Sequence, residues 1–315
     1  MQIIRTLEGE NLDVLSRGSI VTIGNFDGLH LGHRMLLDEV LEQAQQFGLP
    51  AVVMCFEPTP QEFFSPQGPP ARLMRFSEKR QALEEYGIDV FCCLDFDEQL
   101  RGGSPEWFIQ EILVKSLNVR HLIVGDQFRF GKDRAGHVAD LESAGDNDNF
   151  QVDGIASLES DGSIVSSTLI RRALSSGNLK RAAELLGKNY SMSGEVIHGN
   201  HLGRRLGFPT ANIDPDRIHV ALMGIFAARV RGLHNKVLNA VASIGTRPTV
   251  GGKKMLLEVH IFDFDEEIYG QELQVEFIEK IRDELNFPDI DALIEHINDD
   301  VTKARQILSK WNTSP

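Results

Sequence analysis

Two histidines three residues apart, His30 and His33, close the run Gly24-Asn25-Phe26-Asp27-Gly28-Leu29-His30-Leu31-Gly32-His33, which follows the apolar stretch Ile20–Ile23. The run reads as strand, glycine turn and helix start, and so sets both imidazoles on one face of a first helical turn. Unpaired N–H groups and the positive helix end point the same way and favour an anion there. The arrangement suits attack on the α-phosphate of ATP. In that reaction negative charge gathers on phosphoryl oxygens, and preorganised donors stabilise it without a covalent intermediate. His30 and His33 can both donate, Gly32 lets the backbone approach closely, and Asn25 or Asp27 can fix the turn.

A second cluster has matching chemistry. Ser166, Ser167 and Thr168 stand before a helical run, with Arg171 in its first turn. Hydroxyls and N–H groups there can grip β- and γ-phosphates while the guanidinium neutralises a departing pyrophosphate. The same residue types also make an ordinary N-cap, so this cluster gains its meaning from the histidines. Between the two lie Phe56–Phe64 and Gly125–Lys132, each after a strand-like run. Their aromatics alternate with polar groups, and Phe63, Phe64 and Phe130 suit a flat heterocycle or a core equally.

The third cluster runs from Gly194 to Asn212, dense in glycine with Arg204 and Arg205 beside it. Backbone around Gly199, Gly203 and Gly207 can wrap phosphates, although the spacing is not that of a Walker loop. Thr210 and Asn212, two apart in an extended strand, face one side and can share one Mg²⁺. Farther on, alternation in Leu256–Phe264 puts Glu258 on the face of His260 and Phe262. A carboxylate there can take the proton of an attacking hydroxyl; a solvent-facing glutamate is the plainer alternative.

These residues need two kinds of scaffold. Strand patterns at 20–24, 51–56, 89–94, 121–125 and 152–158 alternate with helical ones. The first helix carries Leu36, Leu37, Val40, Leu41, Ala44 and Phe47 at helical spacing and stops at Gly48 and Pro50. That alternation predicts an α/β unit with a parallel sheet, whose ligands bind beyond the strands' carboxyl ends. Beyond residues 178–190 short alternating stretches at 192–197, 225–231, 237–244, 255–262 and 273–279 predict an antiparallel barrel. A helix at 289–309 closes it with an apolar stripe of core-packing residues. Asp146-Asn147-Asp148-Asn149 reads as a solvated loop.

With 315 residues the chain is long enough for two domains, and 42% hydrophobic content gives each a core. The net charge of −14 argues against broad nucleic-acid or anionic-membrane surfaces. Cys55, Cys92 and Cys93 lie in apolar runs without metal or redox spacing, and read as buried free thiols in a reducing compartment. Met1–Arg5 has no signal-peptide pattern and no apolar run reaches spanning length, so a cytoplasmic enzyme is expected.

In this order and spacing, G-N-F-D-G-x-H-L-G-H, F-E-P-x-P-x-E-F-F, G-D-x-F-R-F-G-K and S-S-T-x-I-R resemble the prokaryotic bifunctional riboflavin kinase/FMN adenylyltransferase, or FAD synthetase, family. G-x-V-x-H-G-x-x-L-G-R-x-L-G-F-P-T-A-N and L-E-V-H-x-x-D-F, with Gly245–Thr249 between, resemble its riboflavin kinase module. The resemblance implies a Rossmann-like nucleotidyltransferase domain over residues 1–185 and an antiparallel split β-barrel with a closing helix over 186–315. It implies phosphorylation of riboflavin to FMN by ATP, then AMP transfer from ATP to FMN, giving FAD and pyrophosphate, with Mg²⁺ as cofactor. The implied partners are small-molecule substrates, with no nucleic acid and no membrane; weak self-association is compatible with it.

By the same resemblance His30, His33, Arg171 and Glu258 are catalytic, Glu258 as general base. Gly24, Asn25, Phe26, Asp27, Gly28, Gly32, Asp126, Ser166, Ser167 and Thr168 bind nucleotide in the first domain. Gly199, Gly203, Arg204, Gly207 and Pro209 do so in the second, and Thr210 and Asn212 are the Mg²⁺ ligands. Thr59, where a histidine is usual, and His137, where an acid is usual, depart from the family pattern. Two alternatives are another H-x-G-H adenylyltransferase and a non-catalytic flavin sensor; retained catalytic residues disfavour the sensor.

Overall fold

The computed structural model describes residues 1–7, 10–199, 203, 206–217, 219–249 and 252–311, without the side chains of 10, 11, 247–249 and 252–254. The backbone forms two compact units. One comprises Met1–Pro70 with Phe76–Ser166, the other Ala71–Arg75 with Ser167–Pro315.

The first unit is built on β1 (Gln2–Ile4), β2 (Ser19–Ile23), β3 (Ala51–Glu57), β4 (Val90–Asp95), β5 (Val119–Gly125) and β6 (Gln151–Ile155). They pair in the order β1-β4-β3-β2-β5-β6, every pair parallel. All five residues of β2 and the first five of β3 are buried, as parallel strands covered on both faces require. From β2 the chain steps to β3 and β4 on one side, then crosses back to β5 on the other. The loops after β2 and β5 therefore flank a switch point, the place where such sheets hold ligands.

Helix α1 (Leu31–Phe47) turns Leu37, Val40 and Ala44 into the sheet and ends at Gly48, which takes the left-handed conformation with φ +63°. Phe47, expected in its core stripe, is exposed. α2 (Pro60–Phe64), α3 (Phe76–Tyr86), α4 (Glu98–Gly102) and α5 (Pro105–Trp107, continuing as a π-helix to Ser116) follow. The loop expected at Asp146–Asn149 is instead the exposed last turn of α6 (Val138–Asp148). Asn149 caps it at φ +60°, since a side-chain amide tolerates that conformation where most residues do not.

Thr59 and His137, the two departures from the family pattern, both begin helices. Thr59 Oγ1 accepts the Glu62 N–H, and the Glu62 carboxylate accepts the Thr59 N–H at 2.9 Å. The His137 N–H donates to the Asp140 carboxylate at 2.7 Å.

A two-stranded hairpin, β7 (Glu159–Ser160) with β8 (Ser163–Ile164), leads out of the first unit. The second unit opens with α7 (Ser167–Ser175) and α8 (Leu179–Leu186). Its strands are β9 (Ser191–Ile197), β10 (Ala211–Ile213), β11 (Gly224–Leu233), β12 (Lys236–Thr249), β13 (Gly252–Ile261) and β14 (Glu272–Arg282). They close into an antiparallel barrel, β10-β13-β12-β11-β14-β9. Strand periodicity makes the barrel: Phe226, Ala228 and Val230 are buried, and Ala227 between them packs outward under the final helix, α9 (Ile290–Trp311). β12 outruns its expected 237–244 because its pairing with β13 continues to Thr249 and Gly252.

Asp300, 4% exposed on α9, accepts Nε–H and Nη2–H donors from Arg282 on β14, the shortest at 2.6 Å. Losing the acid strands a guanidinium in a mostly dry contact. Asp300→Ala is therefore expected to lower the unfolding free energy of the second unit by about 3 kcal/mol, read from urea denaturation.

Candidate functional sites

His30 is the N-cap of α1: its backbone is extended, and its Nδ1 accepts the His33 N–H at 3.3 Å. His30 thus precedes the first turn rather than sitting in it. The two rings stack with centroids 3.6 Å apart and planes 15° from parallel. The turn before them is tight: Phe26 and Leu29 take φ +46° and +44°, and Gly28 takes +92°. Non-glycine residues held there mark a backbone that its surroundings over-determine.

Phe26 is fully buried, so it presents no surface to a nucleotide. Its ring lies 5.0 Å from that of His33 and backs it. Asp27 is buried as well. A Cβ on Gly32 would stand 3.4 Å from the His30 ring and 3.6 Å from the Val165 carbonyl. That brings the Ser166 end of this unit against the helix start. Burial, then the neighbouring His30 and the Lys79 ammonium, hold the His33 pKa well below the usual imidazole value, and its Nδ1 is buried without a partner.

Beyond the strand ends lies a cavity of about 610 Å³, within the range of small-molecule sites. The end of β3 and the segments that follow β3, β4 and β5 line it with Phe56, Phe64, Phe96, Phe108, Phe128 and Phe130. Arg101, Arg129, Lys132 and Arg134 outnumber the carboxylates Glu98 and Asp133 in the lining, with Arg101 paired to Glu98 at 2.7 Å. Phe130 is buried at its wall and Phe64 is 59% exposed, so one serves the core and the other the opening. Asp126 follows β5 and accepts the Ser157 hydroxyl at 3.0 Å.

In the second unit, Ser167 and Thr168 begin α7, and Ser166 ends the first unit. Arg171 is the fifth residue of α7, a turn later than expected, and its Nε donates to the Ala71 carbonyl at 2.6 Å. In the barrel, antiparallel register sets Asn212 directly opposite Glu258, and Glu258 opposite Ser243. Thr210 immediately precedes β10, and with Asn212 it lines a cavity of about 140 Å³ that also includes Glu266, Glu267 and Tyr269.

Glycine makes this arrangement possible. A Cβ on Gly199 would collide with the Asn212 amide, and one on Gly203 would come within 3.0 Å of Thr210 Oγ1. Gly207 has φ +90°, and the Pro209 carbonyl lies 2.8 Å from His260 Nδ1. Arg204 lies outside the described residues. The glycine spaces against Asn212 and Thr210, with carboxylates in reach of the same face, suit a small, hard cation.

Several contributors escape sequence patterns. The Glu284 carboxylate packs where a Cβ on Gly245 would be, and burial together with the Glu258 charge raises its pKa. His198 and Tyr269 stack at 4.0 Å. The hints in the sequence are glycine at position 245 and the place of His198 in the glycine-rich motif.

A sheet with stacked imidazoles at its switch point, joined to a closed barrel with an Asn–Glu register pair, defines a two-unit protein of the nucleotide-handling transferase class. The FAD synthetase model matches residues 13–169 and the riboflavin kinase model residues 186–308. The chain belongs to the bifunctional riboflavin kinase/FMN adenylyltransferase family. It is 43% identical to the protein of that name from Haemophilus influenzae over 97% of this chain and 98% of the relative. It is also 43% identical to the one from Escherichia coli K12 over 92% of each. A crystal structure described as a macrolide-efflux protein from Streptococcus pneumoniae has a TM-score of 0.80 at 28% identity, covering 97% of this chain and 99% of its own. Among the described residues, no helix is long and apolar enough to cross a membrane.

The depressed His33 pKa has a stability consequence. Below pH 6.5 an unfolded chain protonates this imidazole while the folded one resists, so stability is full above 6.5 and falls as pH drops. His33→Gln removes that loss. Its unfolding free energy is expected to fall less steeply with acidification than the wild type's, by up to about 1.4 kcal/mol per pH unit.

Proposed function

We infer that this chain makes FAD from riboflavin in two ATP-dependent steps, one for each matched half, with the functional division at residues 185/186. The second half transfers the ATP γ-phosphate to the riboflavin 5′-hydroxyl, giving FMN and ADP. The first half then transfers AMP from a second ATP to the FMN phosphate, releasing pyrophosphate. One observation carries the reading: each half pairs its family match with a site suited to its own chemistry.

In the kinase step Glu258 takes the hydroxyl proton, and Thr210 and Asn212, its cross-strand neighbour, are the residues that would hold a cation. When bound, Mg²⁺ would offset polyphosphate charge there. Gly199, Gly203, Gly207 and Pro209 bring backbone close to the nucleotide, and Arg204 adds charge to the same segment. In the adenylyl step His30 and His33 donate to the α-phosphate. Backbone of Gly24, Asn25, Gly28 and Gly32 approaches it. Asp27 fixes the turn and Phe26 acts through His33. Ser166, Ser167, Thr168 and Arg171 serve the triphosphate.

The aromatic, basic cavity fits FMN: ring faces for the isoalloxazine, cations for the phosphate, Asp126 at the rim. The acidic net charge fits small-molecule partners rather than nucleic acid or anionic membrane. Buried free thiols fit a reducing cytoplasm.

The test is to incubate the protein with riboflavin, ATP and Mg²⁺ and separate the flavins. Glu258→Ala is expected to form no FMN yet still convert supplied FMN to FAD. His33→Ala is expected to do the reverse and accumulate FMN. Loss of both steps in each folded variant overturns the division of labour. Gly199→Ala pushes a methyl group into the Asn212 amide, so its kinase step is expected to need several-fold more Mg²⁺ at half-saturation while adenylyl transfer is unchanged.

A further inference from the structure

Lys79 occupies an odd place. Helix α3 turns Lys79 and Leu83 inward, one helical turn apart, so an ammonium stands where a core residue would. The side chain is 4% exposed. Its Nζ donates to the Asn25 carbonyl at 2.7 Å, which leaves two more N–H donors, and among the described residues no carboxylate pairs with it. Burying an ammonium without a counter-charge is costly, so such a group is expected to meet an anion that is not part of the chain.

The surroundings point to which anion. Asn25 belongs to the turn that carries His30, and the Lys79 charge is felt by His33 on one side and by the Cys55 and Cys93 thiols on the other. His33 packs against the His30 and Phe26 rings and feels the Lys79 charge, and the buried Asp27 belongs to the same turn.

We propose that Lys79 is a positioning residue of the adenylyl-transfer site, holding the Gly24–Gly28 turn through the Asn25 carbonyl and supplying a buried positive charge that an entering phosphate neutralises. The proposal rests on the adenylyl-transfer reading of the first unit. Two consequences separate it from a purely structural role. An unpaired buried charge lowers stability, so an apolar replacement of similar length does not destabilise the fold. The same charge suppresses protonation of His33, so its removal raises the pH at which acid begins to inhibit.

The experiment compares wild type, Lys79→Met and Lys79→Arg for FAD formation from FMN and ATP, for riboflavin phosphorylation, and for thermal unfolding. For Lys79→Met, kcat of adenylyl transfer is expected to fall about 100-fold with KM for FMN changed less than about threefold. Its acid limb should move to higher pH, and its unfolding midpoint should stay or rise. Riboflavin phosphorylation should be unchanged, and Lys79→Arg should recover most of the lost kcat. If wild type forms FAD and Lys79→Met stays within about threefold of it, the inference fails alone. A lowered midpoint with losses that Arg does not restore also overturns it, since the residue is then structural. If wild type forms no FAD from FMN, the adenylyl-transfer reading fails and takes the inference with it.

Discussion

The His33 N–H donating to His30 Nδ1 is the contact on which the first unit's site depends. It supplies the side-chain cap that α1 needs and orients the His30 ring. It also bears on the tautomer: an imidazole whose Nδ1 accepts a hydrogen bond carries its proton on Nε2. Stacking at 3.6 Å then makes a second positive charge unfavourable, which agrees with the depressed pKa of His33. The two rings are positioned by the helix start itself, through the cap and the turn before it. The strained turn and the ring of Phe26 keep them there.

The barrel solves a similar problem by register. Antiparallel pairing fixes which residues face each other, so Asn212 and Glu258 meet without a long loop to position them. Glycines at 199, 203 and 245 then admit groups that any Cβ would displace. The cost is electrostatic. Glu284 beside Glu258 holds its proton more readily, because partial desolvation and a neighbouring carboxylate both disfavour its charged form.

The periodic elements were readable from the chain because their burial is periodic. β2 and most of β3 are buried on both faces, and the barrel strands alternate. β1 has three residues with only Ile4 buried, too short to leave a pattern. Asp146–Asp148 reads as a loop by composition, yet the final turn of a helix tolerates poor helix formers when a left-handed residue ends it. A helix start at Ser167 moves Arg171 to the second turn, a shift that composition does not encode. Lys79 and Glu284 were invisible because their partners lie 54 residues away on Asn25 and 26 residues away on Glu258, brought near only by the fold.

The two sites differ because their nucleophiles differ. A riboflavin hydroxyl holds its proton at neutral pH, so phosphorylating it calls for a base such as Glu258. The phosphate of FMN has a second pKa near 6 and is already largely ionised, so it attacks without one. What it needs is relief from charge repulsion, since two anions must approach each other. On the proposed reaction this is why the first unit offers imidazole donors, helix N–H groups and buried or cavity-lining cations, with no carboxylate paired to Lys79 among the described residues. An anionic base there would repel both substrates.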